Sequence, residues 1–229
     1  MTDLSLLLKH DNPVYQAMLL AIACAIVSLA LIGGYQATHE RITELELQDQ
    51  LNTLGQVLPA DRYDNNPLDD SQLIDDPRLL QPAELMLAKH AGDLTAVTLK
   101  LRVAGWGGPI DMLVATATDG TVLGVRVIRH KETPGLADNI EIAKSDWITG
   151  FDGKSLANTP ARAWAVKKDD GDFDQFTGAT ITPRAVVKGV HTALELQQSW
   201  QAQRQQTQAQ GKPTGTEQQA SIPQEETQP

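Results

Sequence analysis

One cysteine stands in the 229 residues, Cys24, and it lies inside an apolar run. Intramolecular disulfides, four-cysteine zinc sites and cysteine-ligated iron–sulfur clusters are therefore excluded within this chain. Everything after that run is thiol-free, which suits an oxidising compartment without requiring one. Aromatic residues make up only 4%, and 19 basic residues face 29 acidic ones for a formal net charge of −10. That balance argues against a chain whose work is gripping nucleic acid or anionic lipid. No G-x-G-x-x-G, P-loop, H-E-x-x-H or G-x-S-x-G motif occurs, so the commonest nucleotide, zinc-protease and serine-hydrolase readings have no support. The five histidines, His10, His39, His90, His130 and His191, show no ligand spacing, so no metal site and no catalytic dyad is read.

What is present begins with residues 14–35, an uncharged stretch interrupted only by Gln16 and Ser28. It is long enough for one membrane span, too long for a cleavable signal peptide and without the polar stripe of a core helix. Lys9 and His10 precede it and Arg41 follows. The positive-inside tendency then sets the N-terminus in the cytoplasm and the remainder across the membrane.

After a short N-terminal segment, 1–13, and the span, residues 36–81 read as an amphipathic helix closed by Pro59 and an acidic linker. That linker holds Asp61, Asp64, Asp69, Asp70, Asp75 and Asp76 but lacks the pattern of a calcium loop. Residues 82–200 form the folded body. Stretches 94–103, 110–117 and 122–128 read as strands pairing in order, with Asp119-Gly120 as a hairpin turn and 162–166 as a further short strand. Asp169 to Asp172 reads as a turn, and a helix follows with Thr182 as N-cap and Pro183 in its first turn. The fold class is α+β, an antiparallel sheet with helices behind one N-terminal transmembrane helix. Residues 197–229 hold 12 glutamines and almost nothing apolar, and 201–229 is set apart as a disordered tail.

The most informative stretch is Asp174-Gln175-Phe176-Thr177-Gly178-Ala179-Thr180-Ile181-Thr182-Pro183. Small residues there permit close backbone approach to a ligand, hydroxyls cluster, and a helix N-terminus follows whose free N–H groups and dipole favour a phosphate. A capped helix after a tight turn explains the same residues, and both readings stand on physics alone.

Asp174-x-x-Thr177-Gly178-Ala179-Thr180 resembles the D-x-x-[ST]-G-A-[TS] motif of the covalent FMN-binding domain family, in which the flavin phosphate is esterified to the last threonine. His130-Lys131-Glu132-Thr133-Pro134-Gly135-Leu136-Ala137 resembles the H-x-E-T-P-G-L-G segment of the same domains, with Ala137 in place of the last glycine. The resemblance implies covalent FMN on Thr180, a phosphate cradle of Thr177, Gly178, Ala179 and Thr182, and a recognition or transfer role for Asp174. It also implies a loop of Glu132, Thr133, Gly135 and Leu136 against the isoalloxazine ring, with Trp147 flanking it and Arg184 and Lys188 near the phosphate.

With the span, the two motifs resemble the G-subunit family of Rnf (Rsx) ion-translocating electron transport complexes. The C-subunit family of the sodium-pumping NADH:quinone reductases is the second one sharing them. The resemblance implies an electron-carrying redox subunit, not a stand-alone catalyst, in the bacterial inner membrane, with a cytoplasmic N-terminus and a periplasmic FMN domain. Its partners would be the other subunits of the complex and a flavin transferase that forms the phosphoester. A membrane-anchored interaction protein without flavin is the contrasting expectation. The glycine-rich turn around Trp106 is left as either a packing corner or a partner-facing loop.

Overall fold

The structure, a computed structural model, describes residues 13–210. The expected N-terminal segment up to residue 12 and the tail from residue 211 lie outside the described residues. The chain divides into two compact units, Met1–Gly55 and Gln56–Pro229.

In the first unit, α1 runs unbroken over Pro13–Gly55, 43 residues. Its opening part, Pro13–Tyr35, is 23 residues long with mean hydropathy 2.5 and no buried share. At about 1.5 Å of rise per residue it reaches about 35 Å, enough for a hydrocarbon core of about 30 Å. The span and the helix expected after it are one element because no proline stands between residues 14 and 55 to break the hydrogen-bond ladder.

The second unit is built on five strands: β1 Ser71–Ile74, β2 Ala83–His90, β3 Asp93–Ala104, β4 Pro109–Ala117 and β5 Val122–Arg129. They pair antiparallel in chain order as a meander. The three strands read from sequence are β3, β4 and β5, and β4 and β5 are joined where expected by a turn in which the Thr121 N–H donates to Asp119 Oδ1 at 2.9 Å. Alternation places Leu99, Leu101 and Val103 of β3 opposite Val114, Met112 and Ile110 of β4 on one buried face. The second helix, α2, spans Ile181–Gln210 and lays Val186, Val187, Val190, Ala193 and Leu194 on the same core, the stripe of a one-sided helix. It continues to Gln210, ten residues into the stretch set apart as tail.

Two strands depart from the sequence reading. β2, Ala-Glu-Leu-Met-Leu-Ala-Lys-His, has no β-branched residue and so lacks the usual strand signature, yet Leu85, Met86, Leu87 and Ala88 are buried on both faces. β1 arises inside the expected acidic linker and pairs Ser71 with Met86 and Ile74 with Ala83. The same linker docks on β2 through Asn65, whose Nδ2 donates to the Leu87 carbonyl at 2.9 Å while its Oδ1 accepts from the Lys89 N–H at 2.8 Å. These residues are thus part of the folded unit.

Between β5 and α2 the chain makes four 3-10 turns, Asp138–Ile140, Asp146–Phe151, Ala161–Ala163 and Lys167–Asp169. The strand expected over 162–166 does not form. Pro160 opens a 3-10 turn there, and only Val166 bridges to Phe173, because nearby donors close local loops, such as Lys167 N–H to Phe173 O at 2.7 Å.

Candidate functional site

The start of α2 fixes the site. Arg184 N–H donates to the Thr180 carbonyl at 3.3 Å, so Thr180, not the expected Thr182, holds the N-cap position. Pro183 falls in the first turn, where its missing N–H leaves nothing unsatisfied. The first turn carries no acidic residue, and its free N–H groups and the helix dipole present positive partial charge. Among the described residues no partner accepts from or donates to the Thr180 hydroxyl.

Upstream, Ala179 N–H returns to the Phe176 carbonyl at 3.1 Å, closing a turn with Thr177 and Gly178 at its tip. Gly178 has φ +80°, the value a type II turn requires at its third position and a side chain resists. Facing this turn is the loop after β5. His130 accepts the Glu132 N–H at Nδ1 (3.1 Å) and donates from Nε2 to Glu141 at 2.8 Å, which fixes the loop's start. Gly135 N–H donates to Asp138 Oδ1 at 2.8 Å, and that hydrogen bond holds the Asp138 carboxyl below the ordinary carboxylate range despite its burial. Ala137, which replaces the family's glycine, sits at φ −118°, so this position needs no positive φ.

Between loop and turn lies a cleft of about 190 Å³. Thr133, Leu136 and Ala137 line one side, Gly178, Ala179 and Thr180 with the first residues of α2 line the other, and Trp106 contributes from the β3–β4 hairpin. No acidic side chain is among the lining residues. Two threonine hydroxyls without partners among the described residues, at Thr133 and Thr180, and a helix N-terminus make a donor set that fits a phosphate carried on a polyol chain.

Not every expected residue reaches the cleft. Glu132 is 3% exposed and turns inward: one carboxylate oxygen accepts the Gly107 N–H at 2.9 Å and the other accepts the Thr182 hydroxyl. It ties the β3–β4 hairpin to α2 and is not among the residues lining the cleft. Thr182 contributes to the wall, but its hydroxyl is spent on Glu132. Trp147 stands behind the turn, donating its indole N–H to the Asp174 carbonyl at 2.9 Å and packing edge-on against Phe176 with centroids 5.2 Å apart. The Asp174 carboxylate is exposed and pairs with Lys167 at 2.6 Å. Arg184 is held in a two-pronged pair by Asp169, both bonds 2.6 Å, which lowers the Asp169 carboxyl's pKa and raises that of the guanidinium. Trp106, which sequence reasoning left open, is the aromatic residue that does line the cleft. Its flanking glycines were the only signal.

The FMN-binding domain family matches residues 105–195, from the Trp106 hairpin into α2. The G subunit of the ion-translocating oxidoreductase complex of Stutzerimonas stutzeri is 55% identical over 183 residues, 80% of this chain and 80% of that protein. The protein of the same name from Cereibacter sphaeroides (strain ATCC 17029 / ATH 2.4.9) is 44% identical over 81% of this chain and 84% of its own length. That from Pseudomonas aeruginosa (strain UCBPP-PA14) is 47% identical over 74% and 82%. A crystal structure of Shewanella oneidensis NqrC aligns over 61% of this chain and 73% of that one, with 23% identity and a TM-score of 0.39. Fold, cleft and family together define an FMN-binding domain carried behind an apolar helix of membrane-spanning length. The chain belongs to the G-subunit family of ion-translocating oxidoreductase complexes.

Proposed function

We propose that the chain is the membrane-anchored redox subunit of such a complex and carries FMN as a phosphoester on Thr180. The carrying observation is the placement of Thr180: an N-cap hydroxyl without a partner, in a cleft without acidic residues, at the positive end of α2. Forming the ester from FAD joins the hydroxyl oxygen to the flavin phosphate and releases AMP. A threonine hydroxyl is a poor unaided nucleophile, so a separate flavin transferase carries out the step and reads the exposed Asp174 and the turn that follows. The linkage keeps the cofactor at the complex whatever its binding affinity, as any tether does.

When bound, FMN supplies electron transfer in one- or two-electron steps. The chain's own residues position it: the α2 N–H groups and Gly178 turn cradle the phosphate, and Thr133 and Leu136 flank what extends from it. The relatives' names support membership in a multi-subunit complex and favour this reading over the C subunit of the NADH:quinone reductase. Residues 14–35 anchor the chain in the inner membrane, and the thiol-free flavin domain, residues 82–200 with the β1 segment, lies on the periplasmic side. Co-expression with a flavin transferase, followed by denaturing electrophoresis, tests the proposal. A fluorescent band for the wild type that is absent from Thr180→Ala supports it, and a dark wild-type band overturns it.

A further inference from the structure

Each residue of the 3-10 turn Lys167–Asp169 holds a different part of the segment around Thr180. The Lys167 ammonium pairs with the Asp174 carboxylate at 2.6 Å. The Lys168 backbone N–H donates to the Gln175 side-chain carbonyl at 3.1 Å. Asp169 takes the Arg184 guanidinium through two bonds of 2.6 Å. Gln175 stands before Thr180 and Arg184 after it, so one turn grips the acceptor segment on both sides of the hydroxyl. The second grip reaches Thr180 itself, because the Arg184 N–H donates to the Thr180 carbonyl at 3.3 Å.

The turn has a firm base. Val166 before it is fully buried, Phe173 after it nearly so, and the Lys167 N–H donates to the Phe173 carbonyl at 2.7 Å. Asp170 closes it in the left-handed region at φ +62°, and a Cβ on Gly171 would stand 2.0 Å from the Ala165 carbonyl oxygen. Backbone of that kind persists only where its surroundings over-determine it. The grips themselves lie on the surface, and none of Lys167, Lys168, Asp169, Asp174, Gln175 and Arg184 lines the cleft. They serve neither the core nor a small ligand held in the cleft. What they fix is the outward shape of the segment from Asp174 to Thr180. A lysine pair on a flexible stem contributes little to that, whereas a forked arginine–carboxylate pair sets direction as well as distance.

We propose that the Lys167–Asp169 turn is a clamp that holds the acceptor segment in the shape a flavin transferase binds, with Asp169 and Arg184 as its positioning residues. This rests on FMN attachment at Thr180. In that step the Thr180 hydroxyl oxygen bonds to the flavin-side phosphorus of FAD, the phosphoanhydride bond breaks, AMP leaves and the hydroxyl proton passes to the transferase. A loose segment visits the readable shape only part of the time, and the transferase's apparent affinity for the chain falls by that fraction. The clamp therefore acts on the KM of the chain as a protein substrate and leaves kcat nearly alone.

The test uses the full chain without flavin, extracted in detergent from cells lacking the transferase, as the substrate of purified transferase with FAD and Mg²⁺. Intact mass followed over time gives KM and kcat for the wild type, Asp169→Ala, Arg184→Ala, the double alanine variant, and the charge-swapped pair Asp169→Arg with Arg184→Asp. Each alanine variant is expected to raise KM several-fold with kcat within about twofold of wild type. The double variant goes no further than either single one, since the two changes remove the same pair. The swap brings KM back toward wild type, while thermal melts of all these chains agree within about 3 °C. Alanine variants with wild-type KM overturn the clamp and leave Thr180 attachment standing. So does a swap as poor as the single variants, because the transferase then reads these charges directly, and so does a melting temperature that falls in step with the loss. A wild-type chain that gains no flavin mass overturns the attachment, and the proposal with it.

Discussion

The sheet and the segment between residues 130 and 180 share one core but order their backbones by different means. In the sheet, β3 and β4 share nine consecutive register pairs, and their inward side chains are completely or almost completely buried. Stability there comes from apolar area and a regular ladder, both spread over many residues. In the later segment regular structure amounts to short 3-10 turns; Ile140, Ile148, Phe151 and Phe173 anchor it in the shared core, and the backbone between those anchors is set by single polar contacts: Glu132 to Gly107 and Thr182, Gly135 to Asp138, Trp147 to Asp174. The cleft opens where the two meet. The difference shows how one chain can keep a rigid support while leaving turns and helix ends free to face a cofactor.

A substitution in each region separates the two. Leu99→Ala deletes a fully buried side chain at the centre of β3 and is expected to cost about 2–5 kcal/mol in denaturant unfolding. The molecules that remain folded keep their flavin. Loss of flavin with little loss of stability would put the sheet inside the site and erase the distinction. Glu132→Ala strands the Gly107 N–H and the Thr182 hydroxyl and is expected to cost about 1–3 kcal/mol, less than the core deletion, while lowering flavin loading.

Acid sharpens the contrast further. The folded Asp138 carboxyl titrates below its ordinary value because of the Gly135 N–H. The unfolded chain therefore binds that proton more readily, and the stabilisation is present above the ordinary carboxylate range and lost as pH falls through the lowered folded value. Thermal melts between neutral pH and pH about 3 should show this component in the wild type and not in Asp138→Asn. Equal acid sensitivity in both would remove the Gly135–Asp138 tie from the account. The smallest effect on stability belongs to Thr180→Ala. Its hydroxyl caps no N–H, so the change should stay within about 0.5 kcal/mol although it removes the proposed flavin attachment altogether.

The same division explains what could be read beforehand. β3, β4, β5 and the buried stripe of α2 carry strong periodicity and stand where their patterns place them. β2 is hidden by Ala, Leu and Met, and β1 by its four-residue length and mostly exposed residues, since both owe strand structure to neighbours rather than to propensity. At the site, the Asp174 to Thr180 motif was legible through family resemblance, and Thr180 lines the cleft. The inward turn of Glu132 was not legible, because its partners Gly107 and Thr182 lie 25 and 50 residues away. The same long-range tie brings Trp106 to the cleft, while Trp147 stays behind it.

Three threonines compete for the flavin, and their surroundings differ. Thr182 is 1% exposed with its hydroxyl donated to Glu132, Thr177 stands on the turn but is absent from the cleft lining, and Thr180 lines the cleft with its hydroxyl unengaged. Intact-mass spectrometry of the membrane-extracted chain from cells containing the flavin transferase, followed by peptide mapping, tests this directly. The account predicts the mass of FMN less one water on Thr180 alone. An unmodified Thr180, or flavin on Thr177 or Thr182, would contradict it.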